Sequence, residues 1–268
     1  MEGNDTLSNE RIHAGLRTAV LGQQIQLLPS VHSTNRYIKE YPLGSVNNGF
    51  TVIAEEQTAG RGRKGRVFYS PAHEGIYMSV LWKPAGLQPD IRLLTIHAAV
   101  AVSKAIEKTC AIRADIKWVN DIFCNGKKIC GILAEGITSA DVRYINAVVI
   151  GVGINTGHVP QEVADIATSI GIETGKHGIR NRLIAEVLNQ LETALLDNGD
   201  AGKCRDMLAY YAGRLWIVGK RVLMTDTERP YSATVLGVND DGALMVRDDG
   251  GVVHSVTTGE IRLTEYIE

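Results

Sequence analysis

Residues 116–133 read IKWVNDIFCNGKKICGIL, two apolar runs separated by Asn125-Gly126. Asn-Gly between apolar runs predicts a β-hairpin, because a type I′ turn needs a positive φ angle at both central residues. A two-residue turn also predicts the register, with residue 124 opposite 127, 123 opposite 128, 122 opposite 129 and 121 opposite 130. On this register, one face of the hairpin carries Lys117, Asp121, Phe123, Lys128 and Cys130.

Lys128 stands among apolar residues, which is unusual for a solvated lysine. One interpretation is a structural ion pair with Asp121, and another is a side chain that extends along the sheet edge to reach water. Asn120-Asp121 can likewise be an ordinary turn or bulge. The functional alternative is that Lys117, Asp121 and Lys128 face a bound anion, with the carboxylate binding Mg²⁺. The hairpin alone leaves these alternatives open.

Residues 60–66, GRGRKGR, form a second unusual segment with four cations and three glycines. Repulsion between the cations and the freedom of glycine predict a loop that is mobile when empty and ordered by a polyanion. Backbone N–H groups and forked arginine donors both suit phosphate or carboxylate oxygens. The segment lacks the ending of a P-loop and the strand-to-helix context of a Rossmann fingerprint. A solvated basic loop and nonspecific nucleic-acid binding are the alternatives.

The composition is that of an ordinary folded protein, with 268 residues, 44% hydrophobic and 22% charged. A net charge of −2 provides no global attraction to nucleic acid or anionic lipid. The first residues are acidic, and the longest apolar stretches are shorter than the roughly 20 residues of a membrane helix, so we expect a soluble, cytoplasmic protein. The cysteines lack Cys-x-x-Cys spacing, which predicts reduced thiols at positions 110, 124, 130 and 204.

Hydrophobic periodicity predicts an α/β or α+β core of helices against a sheet. A short helical pattern covers residues 6–22, with Ile12, Leu16 and Ala19 on one face and Gly22 as its stop. Strands are predicted at 50–54, 75–82 and 148–150, and helices at 91–108 and 181–197, the last ending at Asn198-Gly199.

From about residue 216 the pattern changes to short β runs at 221–225, 232–238, 243–247 and 252–256. Turn-forming residues at 240–242 and 248–251 separate them, which is typical of a small β-barrel. We therefore predict a short N-terminal helical segment at 1–25, a main domain at 26–215 and a C-terminal barrel at 216–268.

Two smaller motifs complete the pattern. Ser33-Thr34-Asn35 precedes a short helical run, so the trio is either an ordinary N-cap or a set of polar groups presented to a ligand. The run Gly151-Val152-Gly153-Ile154-Asn155 follows a buried strand and predicts a glycine-lined surface, or alternatively a simple strand-to-loop turn. The seven histidines show no metal-ligand spacing, and no Gly-x-Ser-x-Gly elbow occurs.

The order of these motifs over about residues 26–268 resembles that of the biotin protein ligases. The resemblance implies a catalytic domain related to class II aminoacyl-tRNA synthetases, with a mixed sheet flanked by helices, and a small SH3-like barrel at the C-terminal end. Members usually carry proline where this chain has Val119, and we expect a small backbone effect. The residues before 26 are too few for a winged helix-turn-helix, so the chain looks like the monofunctional type, with no sequence-specific DNA binding expected.

The activity implied by the resemblance is that of a biotin–[biotin carboxyl-carrier protein] ligase. Biotin and ATP give biotinyl-5′-AMP and pyrophosphate with Mg²⁺, and biotin then passes to a lysine of the biotin carboxyl carrier protein domain of a carboxylase such as acetyl-CoA carboxylase. Relatives are often homodimers. One alternative is a lipoate-protein ligase or octanoyl transferase of the same fold, of which the transferase would use a covalent cysteine or lysine. The other is a non-catalytic binding module.

The resemblance also implies roles for individual residues. The biotin-binding set is Ser33, Thr34, Asn35, Gln57, Arg61, Gly62, Arg63, Lys128 and Gly131, with Ile132 and Leu133 beside the apolar tail. The nucleotide-binding set is Arg63, Arg66, Lys117, Asn120 and Asn155, and the metal ligand is Asp121. Lys117, Arg63 and Lys128 are the expected catalytic residues. The basic loop is expected to cover the adenylate and exclude water.

Overall fold

The computed structural model describes residues 5–84, 90–138, 144–197, 200–225, 230–257 and 261–263. The larger of its two sheets has seven strands: β1 (Ile25–Leu28), β2 (Thr51–Ala54), β3 (Gly75–Trp82), β4 (Asp115–Lys117), β5 (Asp121–Cys124), β6 (Lys127–Thr138) and β7 (Ile145–Asn155). Their spatial order is β1-β2-β3-β7-β6-β5-β4. Only β1 and β2 pair in parallel, so the sheet is mixed, as predicted.

Helices cover both faces of this sheet. The described helices are α1 (Asn9–Gly15), α2 (Thr34–Lys39), α3 (Ile91–Cys110), α4 (Ile170–Thr174), α5 (Arg180–Leu196) and α6 (Ala201–Arg214). Strand β3 is buried along its whole length, because α3 and α5 lie on one side of the sheet and α2 lies on the other. Successive side chains of β3 point to opposite faces of the sheet. Val80 packs in the large core, whereas Leu81 packs with Ile38 of α2.

The second sheet is antiparallel and contains β8 (Arg221–Met224), β9 (Tyr231–Val238), β10 (Leu244–Asp248), β11 (Val253–Val256) and β12 (Ile261–Leu263), in the order β11-β10-β9-β8-β12. The expected fold class, a helix-flanked mixed sheet followed by a small SH3-like β unit, is confirmed. In the described part of the chain, no helix is long and apolar enough to span a bilayer.

Two aromatic contacts join the β4–β5 region of the first sheet to the part of the chain that follows α6. The indole N–H of Trp118 donates to the carbonyl of Gly242 at 3.3 Å. Phe123 stacks on Trp216 with ring centroids 5.1 Å apart. Gly242 has a φ of +72°, and a Cβ there would lie 2.4 Å from the side chain of Ile96. The turn before β10 therefore requires glycine both for its backbone angle and for its close packing on α3.

The predicted helix over residues 6–22 is wrong in its length. Helix α1 ends at Gly15, Gly22 lies seven residues beyond that end, and Ala19 is exposed, although Ile12 is buried as predicted. Side chains of α5 replace the helical hydrogen bonds, since Asn189 binds the backbone of residues 15 and 17. The predicted stop at Asn198-Gly199 lies outside the described residues.

Glu192 of α5 accepts three consecutive backbone hydrogen bonds from this N-terminal segment. The N–H groups of Ala19, Val20 and Leu21 lie 2.6, 2.8 and 2.7 Å from its carboxylate oxygens. We expect Glu192→Ala to lower the free energy of unfolding by about 3 kcal/mol, because a charged acceptor is lost and its donors stay partly buried. Urea unfolding measures the change, with Glu162→Ala at an exposed position as the control. A shift equal to that of the control would contradict this role.

Candidate active site

One pocket collects nearly all of the predicted site residues. Its lining includes Ser33, Thr34, Asn35, Gln57, Arg61, Gly62, Arg63, Arg66, Lys117, Asn120, Asp121, Lys128 and Gly131. It lies between the start of α2, the basic loop and strands β6 and β7, and Ile261 of the second sheet adds to its wall. Asn155 does not line it, because this side chain at the end of β7 donates to the carbonyl of Thr168 at 3.0 Å.

The polar end of the pocket is built at the start of α2. Ser33 is the N-cap residue, as one interpretation predicted, yet its side chain makes no capping hydrogen bond. The Thr34 N–H donates instead to Gln57 Oε1 at 2.9 Å, and Gln57 Nε2 donates to Ser70 Oγ at 3.0 Å. Gln57 therefore holds the helix start, and the hydroxyl of Ser33 keeps no capping role.

Three of the glycines in the pocket wall, those of strands β6 and β7, leave room for neighbouring side chains. A Cβ on Gly153 would lie 2.5 Å from the ring of Phe68, and one on Gly131 would lie 3.3 Å from both Phe68 and Lys128 Nζ. A Cβ on Gly151 would overlap the side-chain oxygen of Asn35. The predicted glycine-lined surface is thus present, and these glycines admit Asn35 and Phe68.

Gly153→Ala is expected to weaken ligand binding in this pocket by about tenfold, because the new methyl group displaces the Phe68 ring from the wall at an overpacking cost of about 1–3 kcal/mol. Gly213→Ala is the matched control, since nothing lies within 4 Å of a Cβ at that position in α6. The control should raise stability by about 0.5–1 kcal/mol and leave binding unchanged. Equal binding by the two variants, measured by calorimetry, would contradict the role of Phe68.

The pocket is strongly cationic. Among the described residues, the lining contains one carboxylate, that of Asp121, and six cationic side chains: Arg61, Arg63, Lys64, Arg66, Lys117 and Lys128. Burial lowers the pKa of Lys117, and the nearby charges of Lys128 and Arg66 lower it further against the opposing effect of Asp121. Such a site favours anionic ligands, which offset the repulsion among these cations.

Lys128 and Asp121 form the ion pair that one interpretation predicted. Lys128 Nζ lies 2.8 Å from Asp121 Oδ1, but the contact lacks hydrogen-bond geometry, so this buried oxygen has no hydrogen bond within the described ranges. Lys117 is paired across the strands with Asp121, and its ammonium lies 5.5 Å from the centroid of the Phe123 ring. Lys117, Asp121 and Lys128 therefore share one face, as predicted.

The asparagine of the hairpin connects the basic loop to strand β6. Arg63 Nη1 donates to Asn120 Oδ1 at 3.3 Å, and Asn120 Nδ2 donates to the carbonyl of Ile132 at 2.9 Å. The loop itself turns at Lys64 and Gly65, which have φ angles of +56° and +74°. Two of the predicted nucleotide-binding residues are thus in contact.

The hairpin register is correct only next to the turn. Cys124 pairs with Lys127 and Phe123 with Lys128, but the register then shifts, so that Ile122 pairs with Cys130 and Asp121 with Gly131. Cys130 therefore leaves the predicted face and is completely buried. The main chain of Lys128 is bonded on its other side to residues 166 and 168, which is a physical reason for the bulge beside it.

None of the four cysteines forms a disulfide bond, and none of them lines the pocket. Burial raises the pKa of Cys110 and Cys124 to about 11, and it raises the pKa of Cys130 further. A buried thiol with a raised pKa is a poor nucleophile at neutral pH.

Sequence analysis missed Phe68 and Glu135. Glu135 does not line the pocket, but its carboxylate accepts a hydrogen bond from Asn35 Nδ2 at 2.7 Å and one from Lys39 Nζ at 2.6 Å. A carboxylate inside the otherwise apolar run of β6 was the available signal for Glu135. An aromatic residue directly after the basic loop was the signal for Phe68.

Asp121 fits a Mg²⁺ site of the kind that nucleotide phosphates complete. No group of three His, Cys, Asp or Glu side chains that could hold a metal occurs among the residues that the structure describes. Mg²⁺ is commonly bound by one or two carboxylates together with substrate phosphates and water. The buried Oδ1 of Asp121 meets that requirement, because it accepts no hydrogen bond from the described residues and its one charged contact is the ion pair with Lys128.

Comparison with known proteins gives two family matches. Residues 27–155 match the Biotin/lipoate A/B protein ligase family, and residues 217–263 match the Biotin protein ligase C terminal domain. The bifunctional ligase/repressor BirA of Bacillus subtilis is 35% identical over 255 residues, which are 92% of this chain and 76% of the relative.

The biotin–[acetyl-CoA-carboxylase] ligase of Mycobacterium tuberculosis is 30% identical, over 97% of this chain and 98% of the relative. Among solved structures, the biotin protein ligase from Aquifex aeolicus in complex with biotin and ATP has a TM-score of 0.78 at 26% identity, covering 90% of this chain and 98% of that one.

Proposed function

This chain belongs to the biotin protein ligases, enzymes that use biotin and ATP, and we propose that the pocket described above is where it makes biotinyl-5′-AMP. The observation that carries the assignment is the cationic pocket, with six cations and one carboxylate beside a buried polar cluster. Biotin carboxylate and ATP are both anions, so their reaction needs cations that offset their repulsion and stabilise charge on the transferring phosphate.

The polar cluster at the start of α2 is proposed to hold the cyclic urea of biotin. Ser33, Thr34 and Asn35 are buried there, and Gln57 is bonded to Thr34. Arg61, Gly62 and Arg63 line the adjoining wall of the same pocket. Polar groups at a concave site fix the orientation of a small ligand.

The apolar tail of biotin is proposed to run along Ile132 and Leu133, and its carboxylate to reach Lys128. Gly131 leaves space at this point, because a Cβ there would lie 3.3 Å from Lys128 Nζ. Lys128 is already paired with the single carboxylate of the pocket lining. The pairing with Asp121 holds the Lys128 ammonium in place, and a substrate carboxylate can bind to it from the pocket side.

The nucleotide is proposed to lie on the side of Arg63, Arg66, Lys117 and Asn120, with Lys117 at the α-phosphate. Asn155 lies outside the pocket lining, and its contact with the nucleotide stays a prediction. Asp121 would hold Mg²⁺, which supplies charge neutralisation for the phosphates. The basic loop is proposed to exclude water from the mixed anhydride, which would otherwise hydrolyse.

The second step is proposed to be attack by a lysine of a biotin carboxyl carrier protein on the acyl carbon. No enzyme thiol is required, in agreement with the absence of cysteines from the pocket lining. Homodimer formation and the lack of sequence-specific DNA binding stay predictions. We also propose the domain division at residues 26–215 and 216–268, which the separate sheets and the two family matches support.

Pyrophosphate release in the presence of ATP and Mg²⁺ tests the proposed function directly. We expect release that depends on biotin and is absent with lipoate at equal concentration. Release with lipoate but not with biotin would assign the chain to the sister activity of the same fold. Release with neither acid would favour the binding-module alternative.

A further inference from the structure

A turn at residues 118–120 connects β4 to β5 and carries one side of the pocket. Lys117 precedes this turn, Asn120 ends it and Asp121 follows it, and all three line the pocket. We call these three residues the phosphate side, because the proposed function assigns them to the nucleotide and Mg²⁺. A change in the backbone of so short a turn moves them together, so the contacts that hold the turn also determine how the pocket faces a phosphate.

Neighbouring elements hold both ends of the turn. The indole N–H of Trp118 donates to the carbonyl of Gly242. The carbonyl of Asn120 accepts from the Ile132 N–H at 3.0 Å, and Asn120 Nδ2 donates back to the Ile132 carbonyl at 2.9 Å. Val119 lies between these residues, and its N–H donates to no acceptor in the part of the chain that the structure describes. The centre of the turn therefore depends on the contact of the Val119 carbonyl.

This carbonyl accepts a hydrogen bond from Tyr211 of α6, 92 positions farther along the chain. The Tyr211 hydroxyl lies 3.3 Å from the Val119 oxygen, and its side chain is completely buried. Burial raises the pKa of Tyr211 well above its ordinary value, and the charge of Asp121 raises it further against the opposing effect of Arg63. The hydroxyl therefore keeps its proton and is the donor of this hydrogen bond.

The peptide group transmits this contact to the pocket. The Val119 carbonyl and the Asn120 N–H belong to one planar unit, so a bond that holds the carbonyl also restricts the backbone at Asn120. The side chain of Asn120 accepts in turn from Arg63 Nη1 at 3.3 Å. The orientation of the turn therefore affects the basic loop as well as the strand that follows.

We propose that Tyr211 is a positioning residue for the phosphate side, acting through the carbonyl of Val119. Its hydroxyl fixes the turn, and the turn presents the phosphate side to the nucleotide. The inference rests on the proposed function, in which this part of the pocket binds ATP. Tyr211 does not line the pocket, so its effect falls on the formation of the adenylate and not on the binding of biotin alone.

Tyr211→Phe tests the inference, because it removes the hydroxyl and keeps the ring that packs in the core. We expect single-turnover formation of biotinyl-5′-AMP at saturating ATP and Mg²⁺ to slow by about fivefold, the equivalent of one neutral hydrogen bond. The Kd for biotin without ATP, measured by calorimetry, should change by less than about twofold, since the lost contact serves the reacting phosphate. An unchanged rate would overturn the inference, as would equal losses in rate and biotin affinity.

Tyr210→Phe is the matched control, since it removes a hydroxyl from the neighbouring position of the same helix. The Tyr210 hydroxyl donates to Glu107 Oε2 at 3.1 Å and lies 3.1 Å from Ser103 Oγ, and both partners belong to α3. We expect the adenylation rate of this variant to stay within about twofold of that of the wild type. Equal losses in the two tyrosine variants would show a general effect of α6 packing and overturn the inference.

Val119→Pro gives a second, independent comparison. The proline ring fixes φ at this position and removes only an N–H that has no acceptor within the described ranges. Because the turn is then restricted by its own backbone, adding Tyr211→Phe should slow adenylation by less than about twofold in this background. The same loss with and without proline would overturn the inference, because Tyr211 would then act by a route other than the turn.

Two further outcomes separate the inference from the proposed function. A wild-type protein that forms no adenylate from biotin and ATP overturns both. Adenylate formation at equal rates in the wild type and in Tyr211→Phe overturns the inference alone. Urea unfolding of each variant shows that it is folded under the assay conditions, so that a slower reaction is not a loss of folded protein.

Discussion

Lys117→Met is expected to slow the formation of biotinyl-5′-AMP by about 10²–10³-fold, which is the usual effect of removing one preorganised group that stabilises developing charge. Lys117 lines the pocket, and in the strand register it lies opposite Asp121. Biotin binding in the absence of ATP should change little, because Lys117 is assigned to the phosphate side. Single-turnover measurement of the adenylate gives the rate.

The control for this variant is Lys203→Met, which removes an exposed lysine from α6 and should leave the rate unchanged. A loss of less than tenfold in Lys117→Met would contradict the role of Lys117 at the phosphate. Equal losses in the rate and in biotin affinity would place Lys117 on the biotin side instead.

The lowered pKa of Lys117 adds a pH dependence with a definite sign. Burial and the neighbouring charges of Lys128 and Arg66 favour the neutral amine, so the charged form should be lost at a lower pH than in a solvated lysine. The kcat/KM for ATP reports the free enzyme, and it should fall on the alkaline side. Lys117→Arg keeps its charge over this range and should remove that fall.

Lys128→Met is expected to weaken biotin binding by about 10²-fold, because it removes the partner of a carboxylate at a partly desolvated site. The discriminating ligand is biotinamide, which has no charge on its tail. The wild-type protein should prefer biotin to biotinamide, and the variant should lose that preference. Calorimetry without ATP measures both affinities.

Removing Lys128 also leaves Asp121 without the ion pair seen at 2.8 Å. The double variant Lys128→Met with Asp121→Asn separates the two effects, because it removes the unpaired charge as well. We expect it to stay weak for biotin. Recovery of biotin affinity in the double variant would contradict direct contact between Lys128 and the substrate carboxylate.

Lys127→Met on the same hairpin is the matched control, since Lys127 Nζ donates to the carbonyl of Ala164 outside the pocket lining.

Local patterns in the sequence predicted most of the elements that position the pocket. The strand at 75–82 was predicted with its observed bounds, and the helix at 91–108 ends two residues later in the structure. Long apolar periodicity and the Asn-Gly turn are local signals, and tertiary packing agrees with them here. The order of the motifs in the sequence also predicted which residues line the pocket, except that Asn155 lies outside the lining.

The parts that sequence analysis missed depend on contacts between distant residues. The N-terminal helix is short because the backbone N–H groups after its end donate hydrogen bonds to Asn189 and Glu192 of α5. These side chains lie more than 170 positions away in the sequence. The bulge in the hairpin lies beside the bonds of Lys128 to residues 166 and 168. The hydrogen bond from Asn35 to Glu135 joins residues that are 100 positions apart. Periodicity within one segment carries no information on such pairs.

The most direct test concerns the placement of both substrates in a single pocket, with the biotin carboxylate at Lys128 next to the α-phosphate of the nucleotide at Lys117. A crystal structure of the protein with biotinyl-5′-AMP tests it most directly. We expect the urea ring at Thr34, the acyl group beside Lys128 and the α-phosphate beside Lys117. An adenylate bound with its urea ring at Lys117, or bound outside this pocket, would contradict the proposed placement of biotin and the nucleotide.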